Sequence, residues 1–188
     1  QRCDETGTLL ILDEIQTGFG RTGKLYAFED FGIVPDILLL AKGMGGGMPI
    51  GAFIANKAVM DVLKDNPMLG HITTFGGHPV SCAAGLVTLE VILDEKLVEE
   101  IASKEQVFRQ NLQHPLIKEV RGKGFMLSIQ LESFEQVETV SKYCVQHGII
   151  IDWFLNCDTA LRIAPPLIIT EAEIKEACAV ILKGLDFI

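Results

Sequence analysis

Residues 9–13 read Leu-Leu-Ile-Leu-Asp, and residues 37–42 read Ile-Leu-Leu-Leu-Ala-Lys. A short, continuous aliphatic run is typical of a strand that is buried on both faces of a parallel sheet. Each run leads to an ionisable side chain, Asp13 in the first and Lys42 in the second. Because parallel strands point the same way, their carboxyl ends meet at one edge of the sheet. The two runs therefore predict an acid and an amine at the same edge.

A carboxylate and an amine in this arrangement can hold opposite ends of one cofactor ring. Pyridoxal phosphate requires such a pair, a lysine that forms a Schiff base and an acid that keeps the ring nitrogen protonated. Each residue alone also fits a simpler interpretation. Lys42 could simply extend its ammonium group into solvent from the end of a strand. Asp13 could simply cap a helix or accept hydrogen bonds that hold a loop in place.

Composition excludes several classes of function. The 188 residues are 48% hydrophobic, which predicts a real core in one large or two small domains. The net charge of −9, with no basic cluster, argues against nucleic-acid binding. No run approaches the roughly 18 apolar residues that a membrane span needs, and no signal peptide is evident. The five scattered cysteines favour reduced thiols in a cytoplasmic protein, and the four histidines lack metal-ligand spacing.

The pattern changes near residue 95, which predicts two domains, 1–95 and 96–188. The first is α/β, with predicted strands at 8–13, 36–41 and 50–55. Asn56 is the predicted N-cap of a short helix over 57–65, and a buried helix is predicted from Pro79 to about Leu93. The second is α+β, with a predicted helix over 97–112 and two helices that open with capping boxes, Ser133–Gln136 leading to His147 and Thr170–Glu173 opening the last helix. Alternating apolar residues at 125, 127, 129 and 131 predict a strand at 124–131, and further strands are predicted at 149–152 and 160–164. Because the polar N-terminal residues lead directly into a buried strand, we expect the C-terminal portion of a longer protein.

A glycine-rich stretch supports a rival interpretation. Residues 18–23 read Gly-Phe-Gly-Arg-Thr-Gly and match the G-x-G-x-x-G fingerprint of dinucleotide-binding turns. The glycines begin well after Asp13, however, and Pro35 leaves no room for the usual crossover helix. A surface loop is therefore favoured over nicotinamide or flavin binding, and a nicotinamide-dependent oxidoreductase is kept as an alternative.

Three further stretches could bind a ligand. In Gly43–Gly47 the lysine precedes the glycines, which is not the Walker order. Thr73 and Thr74 lie just before the helix at Pro79, where hydroxyls and free N–H groups can bind phosphate or form an ordinary turn. Arg162 lies within an apolar strand, so it requires a carboxylate from the protein or from a substrate. For Gly43–Gly47, close approach of the backbone to a bound ring is favoured over a nucleotide-phosphate cradle. For the two threonines and for Arg162, both alternatives remain open.

The combination of motifs resembles a known family, the class III pyridoxal-phosphate aminotransferases. Its members include acetylornithine, ornithine and 4-aminobutyrate aminotransferases. The resemblance is carried by residues across almost the whole chain: Leu10–Lys24, Pro35–Ile37, Ala41–Gly43, Thr74–Pro79, Val120–Gly124 and Leu161–Pro166. The most specific of these is the Asp-Glu-x-Gln-x-Gly-x-Gly-Arg-Thr-Gly string from Asp13 to Gly23.

The resemblance implies a fold-type I α/β architecture, with part of a large domain that has a mostly parallel sheet and a small α+β C-terminal domain. It implies that Lys42 forms the Schiff base with pyridoxal 5'-phosphate and that Asp13 pairs with the pyridinium nitrogen. Gln16 would lie near the phenolic oxygen. Thr74, together with Thr73, would reach the phosphate of a neighbouring subunit, which implies a homodimer.

The implied reaction moves an amino group from a donor such as ornithine or acetylornithine to a 2-oxo acid, with Arg162 binding a substrate carboxylate. An aminomutase or decarboxylase of the same family is the alternative. The sequence departs from the family pattern at His78, where the family usually has Asn. The family's N-terminal half is also missing, so we expect the chain to be inactive alone.

Overall fold

The computed structural model describes residues 1–188, which fold into two compact units. The first comprises residues 1–20 and 24–96, and the second comprises residues 21–23 and 97–188. The helices and strands of the first unit are α1 (Arg2–Thr6), β1 (Ile11–Asp13), β2 (Ile37–Leu40), β3 (Ala52–Ala55), α2 (Lys57–Asp61) and α3 (Pro79–Asp94). Short 3₁₀ segments cover Ala27–Phe31, Lys42–Gly45 and Val62–Lys64.

The first sheet has the order β1-β2-β3 and is mixed. Strands β1 and β2 are parallel, as expected, and the backbone N–H of Leu10 donates to the Asp36 carboxylate at 2.8 Å beside their start. The prediction that β1 is buried on both faces was wrong, because Ile11 is 52% exposed and β1 is an edge strand with a neighbour on one side only. Strand β3 runs antiparallel to β2, which departs from the expected mostly parallel sheet. The connection from Leu40 to Ala52 is too short for the crossover of a dozen or more residues that a parallel neighbour needs.

Helix α3 begins at Pro79, as predicted, but the prediction that it is buried was wrong. Val80, Leu86 and Val87 are 54%, 59% and 55% exposed. Apolar residues on all sides of a helix normally indicate burial. Within this unit, however, α3 packs mainly against the Lys42–Gly45 turn, which leaves most of its apolar surface uncovered.

The N-terminal residues also differ from the prediction. The polar segment Arg2–Thr6 forms helix α1, which ends at Gly7 in the left-handed conformation. Asn56 caps α2 as predicted, because its side chain accepts from the Val59 N–H at 3.0 Å.

The second unit contains α4 (Ile101–Asn111), β4 (Glu119–Lys123), β5 (Met126–Gln130), α5 (Phe134–Gln146), β6 (Asp152–Phe154), β7 (Cys157–Ile163) and α6 (Glu171–Leu185). Its sheet has the order β4-β5-β7-β6 and is antiparallel throughout. The alternating residues Phe125, Leu127, Ile129 and Leu131 are fully buried in its core, as the period-2 pattern predicted.

Two strand predictions in this unit need correction. The segment predicted as one strand over 124–131 follows a turn at Gly124, and β4 precedes it as a hairpin partner that its mixed polar sequence did not reveal. The strand predicted at 149–152 lies at Asp152–Phe154 instead, because β6 pairs with β7 through a tight hairpin in which Phe154 faces Cys157.

The helix caps follow the sequence closely. At α6 both halves of the predicted capping box form, since Thr170 accepts from the Glu173 N–H and the Glu173 carboxylate accepts from the Thr170 N–H. At α5 Ser133 accepts from the Gln136 N–H, but the Gln136 side chain accepts from the Glu132 N–H rather than from that of Ser133. None of the helices is long and apolar enough to cross a membrane.

Candidate active site

The carboxyl edge of the first sheet holds the predicted acid and amine. The register pairs Asp13 of β1 with Leu39 of β2, and Lys42 follows Leu39 by three positions at the same end of the strands. Both side chains are exposed at this edge. The structure therefore places both residues on which the sequence interpretation depends at the carboxyl end of the β1–β2 pair.

The Asp13 carboxylate is oriented by its own turn. Its Oδ1 accepts from the Ile15 N–H at 2.9 Å, and its Oδ2 has no partner within the chain. Gln16 follows on the same turn and is exposed. One carboxylate oxygen is thus fixed while the other remains available to a ligand.

Sequence reasoning missed the residue that holds this turn. Glu14 is only 3% exposed, and its carboxylate accepts hydrogen bonds from the Thr17 hydroxyl and from the N–H groups of Ala27 at 3.1 Å and Phe28 at 2.8 Å. A buried carboxylate with three donors fixes the surrounding backbone strongly. The signal was an acidic residue directly after an apolar strand, and it is weak because most such residues are exposed.

Lys42 has an unusual backbone conformation. Its φ is +43°, in the left-handed region that a non-glycine residue seldom adopts. It opens the Lys42–Gly45 turn, and its amine forms no ion pair within the chain. Backbone strain of this kind persists where the surrounding structure imposes it, and it concentrates at functional sites.

The glycines after Lys42 allow this turn to pack against the protein itself. A Cβ on Gly46 would lie 2.0 Å from Thr88 Oγ1 of α3, and a Cβ on Gly45 would lie 2.9 Å from Ile50 Cγ2. A Cβ on Gly43 would lie 3.3 Å from the Cβ of Phe19. These close approaches hold the Lys42 backbone against α3 and the Gly18–Gly20 segment.

The predicted phosphate-binding threonines lie in the turn before α3. The Gly76 N–H donates to the Thr73 carbonyl at 3.3 Å, and the His78 N–H donates to the Phe75 carbonyl at 3.2 Å. Both Thr73 and Thr74 are exposed, and their hydroxyls have no partner within the chain. The arrangement leaves two hydroxyl groups available close to the N-terminus of a long helix.

Arg162 finds its carboxylate within the protein. Asp152 lies opposite it in the β6–β7 register, and Arg162 donates from Nε to Oδ1 at 2.9 Å and from Nη2 to Oδ2 at 2.6 Å. The sequence left open whether a protein or a substrate carboxylate meets this arginine. Asp152 was not recognised, because cross-strand register cannot be read from local sequence.

An apolar groove adjoins this ion pair. Asp152 and Arg162 line it together with Ile151, Ile163 and Pro165, and its volume is about 340 Å³. The pair is therefore accessible from a concave, mostly apolar surface of the second unit.

The glycine-rich stretch is not the surface loop that we expected. Phe19 and Thr22 are buried, and residues 21–23 belong to the second unit. Arg21 donates from Nη1 to the Pro165 carbonyl, and its own carbonyl accepts from the Phe125 N–H at 2.8 Å. Burial lowers the pKa of the Arg21 guanidinium. Arg21 thus anchors the segment that follows Arg162.

The dinucleotide alternative loses its structural basis. Between β1 and β2 the chain forms turns and the 3₁₀ segment Ala27–Phe31, with no α-helix in the connection. A dinucleotide fingerprint requires the glycines to open a helix whose N-terminus receives the pyrophosphate.

Comparisons with known proteins agree with this geometry. The sequence profile of the class III aminotransferases matches residues 1–185. A putrescine aminotransferase from Pectobacterium atrosepticum is 47% identical in an alignment that covers 96% of this chain and 39% of that protein. An acetylornithine aminotransferase from Caldanaerobacter subterraneus is 43% identical in an alignment that covers 95% of this chain and 45% of that protein.

Among solved structures, the ornithine aminotransferase from Toxoplasma gondii superposes with a TM-score of 0.88 at 36% identity, covering 98% of this chain and 45% of that one. The fold is therefore the fold-type I architecture of pyridoxal-phosphate aminotransferases, represented in part. The chain belongs to the class III aminotransferase family. It spans less than half the length of these relatives.

Pyridoxal phosphate is the cofactor that this family implies, and the residues present fit it. Asp13 Oδ2, the Lys42 amine and the hydroxyls of Thr73 and Thr74 have no partner in the protein. They offer an acid, an amine and phosphate-binding hydroxyls, which are the groups that the pyridine nitrogen, the aldehyde and the phosphate require.

Proposed function

We propose that the protein carrying this chain is a pyridoxal-phosphate-dependent aminotransferase. It transfers an amino group from ornithine, acetylornithine or a related terminal amine, such as a diamine, to a 2-oxo acid. The observation that carries the proposal is the placement of Asp13 and a strained Lys42 at one sheet edge. The names of the two similar relatives, a putrescine and an acetylornithine aminotransferase, support this range of donors.

Five residues would hold the cofactor. Lys42 Nζ would bind its aldehyde carbon covalently, Asp13 its ring nitrogen and Gln16 its phenolic oxygen. Thr73 and Thr74 would contact the phosphate held in a second copy of the chain, so we propose a homodimer. Bound in this way, pyridoxal phosphate supplies an electron sink that takes up the charge left when the donor carbon loses a proton.

The chain's own residues perform the remaining tasks. The Asp13 carboxylate would face the ring nitrogen and favour its protonated form. The Ile15 N–H holds this carboxylate in one orientation. With the cofactor bound, Lys42 Nζ would be the base that takes a proton from the donor carbon and the acid that gives it back. Arg162 binds a substrate carboxylate through its guanidinium fork.

We also propose that the chain acts in a reducing, cytoplasmic compartment and does not turn over substrate alone. All five cysteines are free, which suits that compartment. The curated relatives are more than twice as long as this chain, so the pocket that Asp13 and Lys42 face requires further residues.

A product assay on the full-length protein tests this function. Purified enzyme is incubated with pyridoxal phosphate, 2-oxoglutarate and, in turn, ornithine, acetylornithine, putrescine or 4-aminobutyrate. We expect glutamate to form with at least one donor and Lys42→Ala to abolish it, with Lys57→Ala, on the exposed face of α2, as the control. An isomerised amino acid or released CO₂ without glutamate would instead identify an aminomutase or a decarboxylase.

A further inference from the structure

A buried hydroxyl lies next to Arg162 without a hydrogen-bond partner. Ser128 of β5 is 6% exposed, and its Oγ neither donates nor accepts within the chain. Thr22 carries the other such group, in the Arg21–Gly23 segment outside the sheet. A buried polar group without a partner costs free energy, so its presence requires an explanation.

The register of the second sheet places Ser128 directly opposite Arg162. Because β7 lies between β5 and β6, Arg162 has Ser128 on one side and Asp152 on the other. Opposite residues of antiparallel strands share one face of the sheet, with Cβ atoms about 4.5–5.5 Å apart. The Ser128 hydroxyl is therefore within reach of a group that binds to Arg162.

Arg162 keeps donors free on the side away from Asp152. Its Nε and Nη2 donate to the Asp152 carboxylate, and its Nη1 has no partner. Since the Nε–Nη2 edge faces Asp152, Nη1 is directed away from β6, and Ser128 lies on that other side of β7. A ligand carboxylate can bind at Nη1 while Asp152 stays in place.

We propose that Ser128 is a substrate-binding residue, which donates its hydroxyl hydrogen to a carboxylate held by Arg162 Nη1. This inference rests on the proposed function and deepens it, because it names a side chain that strengthens the preference for a carboxylate-bearing substrate such as a 2-oxo acid. A hydroxyl suits this role, since it donates to a carboxylate oxygen without adding a further charge.

The surroundings of Ser128 favour a strong contact. Its Oγ is covered in the free chain, whereas the neighbouring Arg162 side chain is 41% exposed. An exposed side chain can shift when a ligand binds, because an exposed ion pair holds it only weakly. The hydroxyl then meets the ligand away from water, where a hydrogen bond is stronger than in solution.

The first test compares two buried serines by urea denaturation of the 188-residue chain. Ser141 is 7% exposed, and its hydroxyl donates to the Ile151 carbonyl at 2.7 Å. We expect Ser141→Ala to lower the urea midpoint, because a hydrogen bond is lost, and Ser128→Ala to leave it unchanged or raise it. A lowered midpoint in Ser128→Ala would show that the hydroxyl already has a partner and would overturn the proposal.

The second test measures 2-oxoglutarate binding to the full-length protein by calorimetry. We expect Ser128→Ala to raise the Kd about tenfold or more, because a hydrogen bond to an ionised carboxylate is lost. Ser103→Ala is the matched control, since Ser103 is exposed on α4 and the Kd should not change. Ser128→Cys keeps the shape of the side chain with a weak S–H donor, so we expect an intermediate Kd.

Two results of the calorimetry would overturn the proposal. One is an unchanged Kd in Ser128→Ala. The other is the absence of measurable 2-oxoglutarate binding to the wild type.

Kinetics of the full-length enzyme give a third readout. In Ser128→Ala we expect the KM for 2-oxoglutarate to rise about tenfold with little change in kcat. The KM for putrescine, which carries no carboxylate, should stay the same. An equal rise in both KM values would contradict the proposal. If the wild type and every variant form no glutamate, the proposed function fails, while the calorimetric Kd still decides the role of Ser128.

Discussion

At the scale of single residues, the candidate site depends on backbone that other side chains fix. Lys42 keeps a positive φ because the glycines after it let the turn approach Phe19, Ile50 and Thr88 closely. Asp13 keeps its orientation because the buried Glu14 carboxylate holds the turn that follows. The reactive groups are exposed, but the residues that position them are not.

The acid at the sheet edge can be tested apart from the lysine. We expect Asp13→Ala to keep the covalent attachment of pyridoxal phosphate in the full-length enzyme, because that bond forms at Lys42. Turnover should fall roughly 100-fold or more, because the ring nitrogen loses the carboxylate that keeps it protonated. Single-turnover spectroscopy with the amino donor measures both quantities. Near-normal turnover would contradict the role of Asp13.

The packing of the lysine turn gives a stability prediction. Gly46→Ala places a methyl group against Thr88 at a φ of +54°, and we expect it to lower the free energy of unfolding by about 2–3 kcal/mol. Gly32→Ala is the matched control, because Gly32 has a φ of +60° and nothing within 4 Å of an added Cβ. It should cost only about 1 kcal/mol, for the backbone strain alone.

Urea denaturation of the 188-residue chain measures both variants. An equal decrease in the free energy of unfolding in Gly46→Ala and Gly32→Ala would show that the close approach to Thr88 has no energetic consequence. Thr88→Ala combined with Gly46→Ala should recover the part of the loss that comes from the clash.

At the scale of secondary-structure elements, the second unit depends on the contact between α5 and α6. Cys144 of α5 and Cys178 of α6 are both buried in its core. Burial raises the pKa of the Cys144 thiol to about 11 and that of Cys178 to about 12. Both thiols are therefore kept protonated, unreactive and apolar in the folded chain.

These thiols predict a loss of stability in alkaline solution. In the unfolded chain they ionise near pH 8.5, whereas in the folded chain they retain their protons to about pH 11 and 12. The contribution of the two thiols to the free energy of unfolding is complete below about pH 8.5. It is lost as the pH rises from there toward the pKa values of the folded chain, because over this range only the unfolded state releases protons.

The free energy of unfolding, measured from pH 8 to pH 11 under reducing conditions, checks this prediction. The double variant Cys144→Ala, Cys178→Ala should show a shallower decline with pH than the wild type. Cys82→Ala removes an exposed thiol and should leave the slope unchanged. A double variant with the wild-type slope would contradict the prediction.

The elements also show what local sequence can predict. Apolar runs and capping residues predicted β1, β2 and the start of α6, because strand propensity and helix caps are local properties. The burial of β1 was not predicted correctly, because burial depends on what the rest of the chain supplies. The β4–β5 hairpin, the Asp152–Arg162 pair and the contact of Arg21 with Pro165 were not predicted. They depend on the pairing of distant segments, separated by 144 positions in the case of Arg21 and Pro165.

At the scale of the whole molecule, the two units carry different parts of the proposed chemistry. The first contains Asp13, Lys42 and the turn with Thr73 and Thr74, and the second contains Arg162, which is paired with Asp152. The profile match confirms the family resemblance. The assignment of roles to these residues, which the resemblance implies, stays a prediction. The prediction that α3 is buried was wrong. Apolar residues on all sides of a helix show that it can be buried, but within this unit α3 packs mainly against the Lys42–Gly45 turn.

The covalent partner of the cofactor tests the central claim most directly. The full-length protein is incubated with pyridoxal phosphate, reduced with borohydride, digested and mapped by mass spectrometry. We predict a single pyridoxyl group on Lys42 and none in Lys42→Ala, with Lys57→Ala labelled like the wild type. A pyridoxyl group on another lysine, or no adduct in the folded protein, would contradict the account.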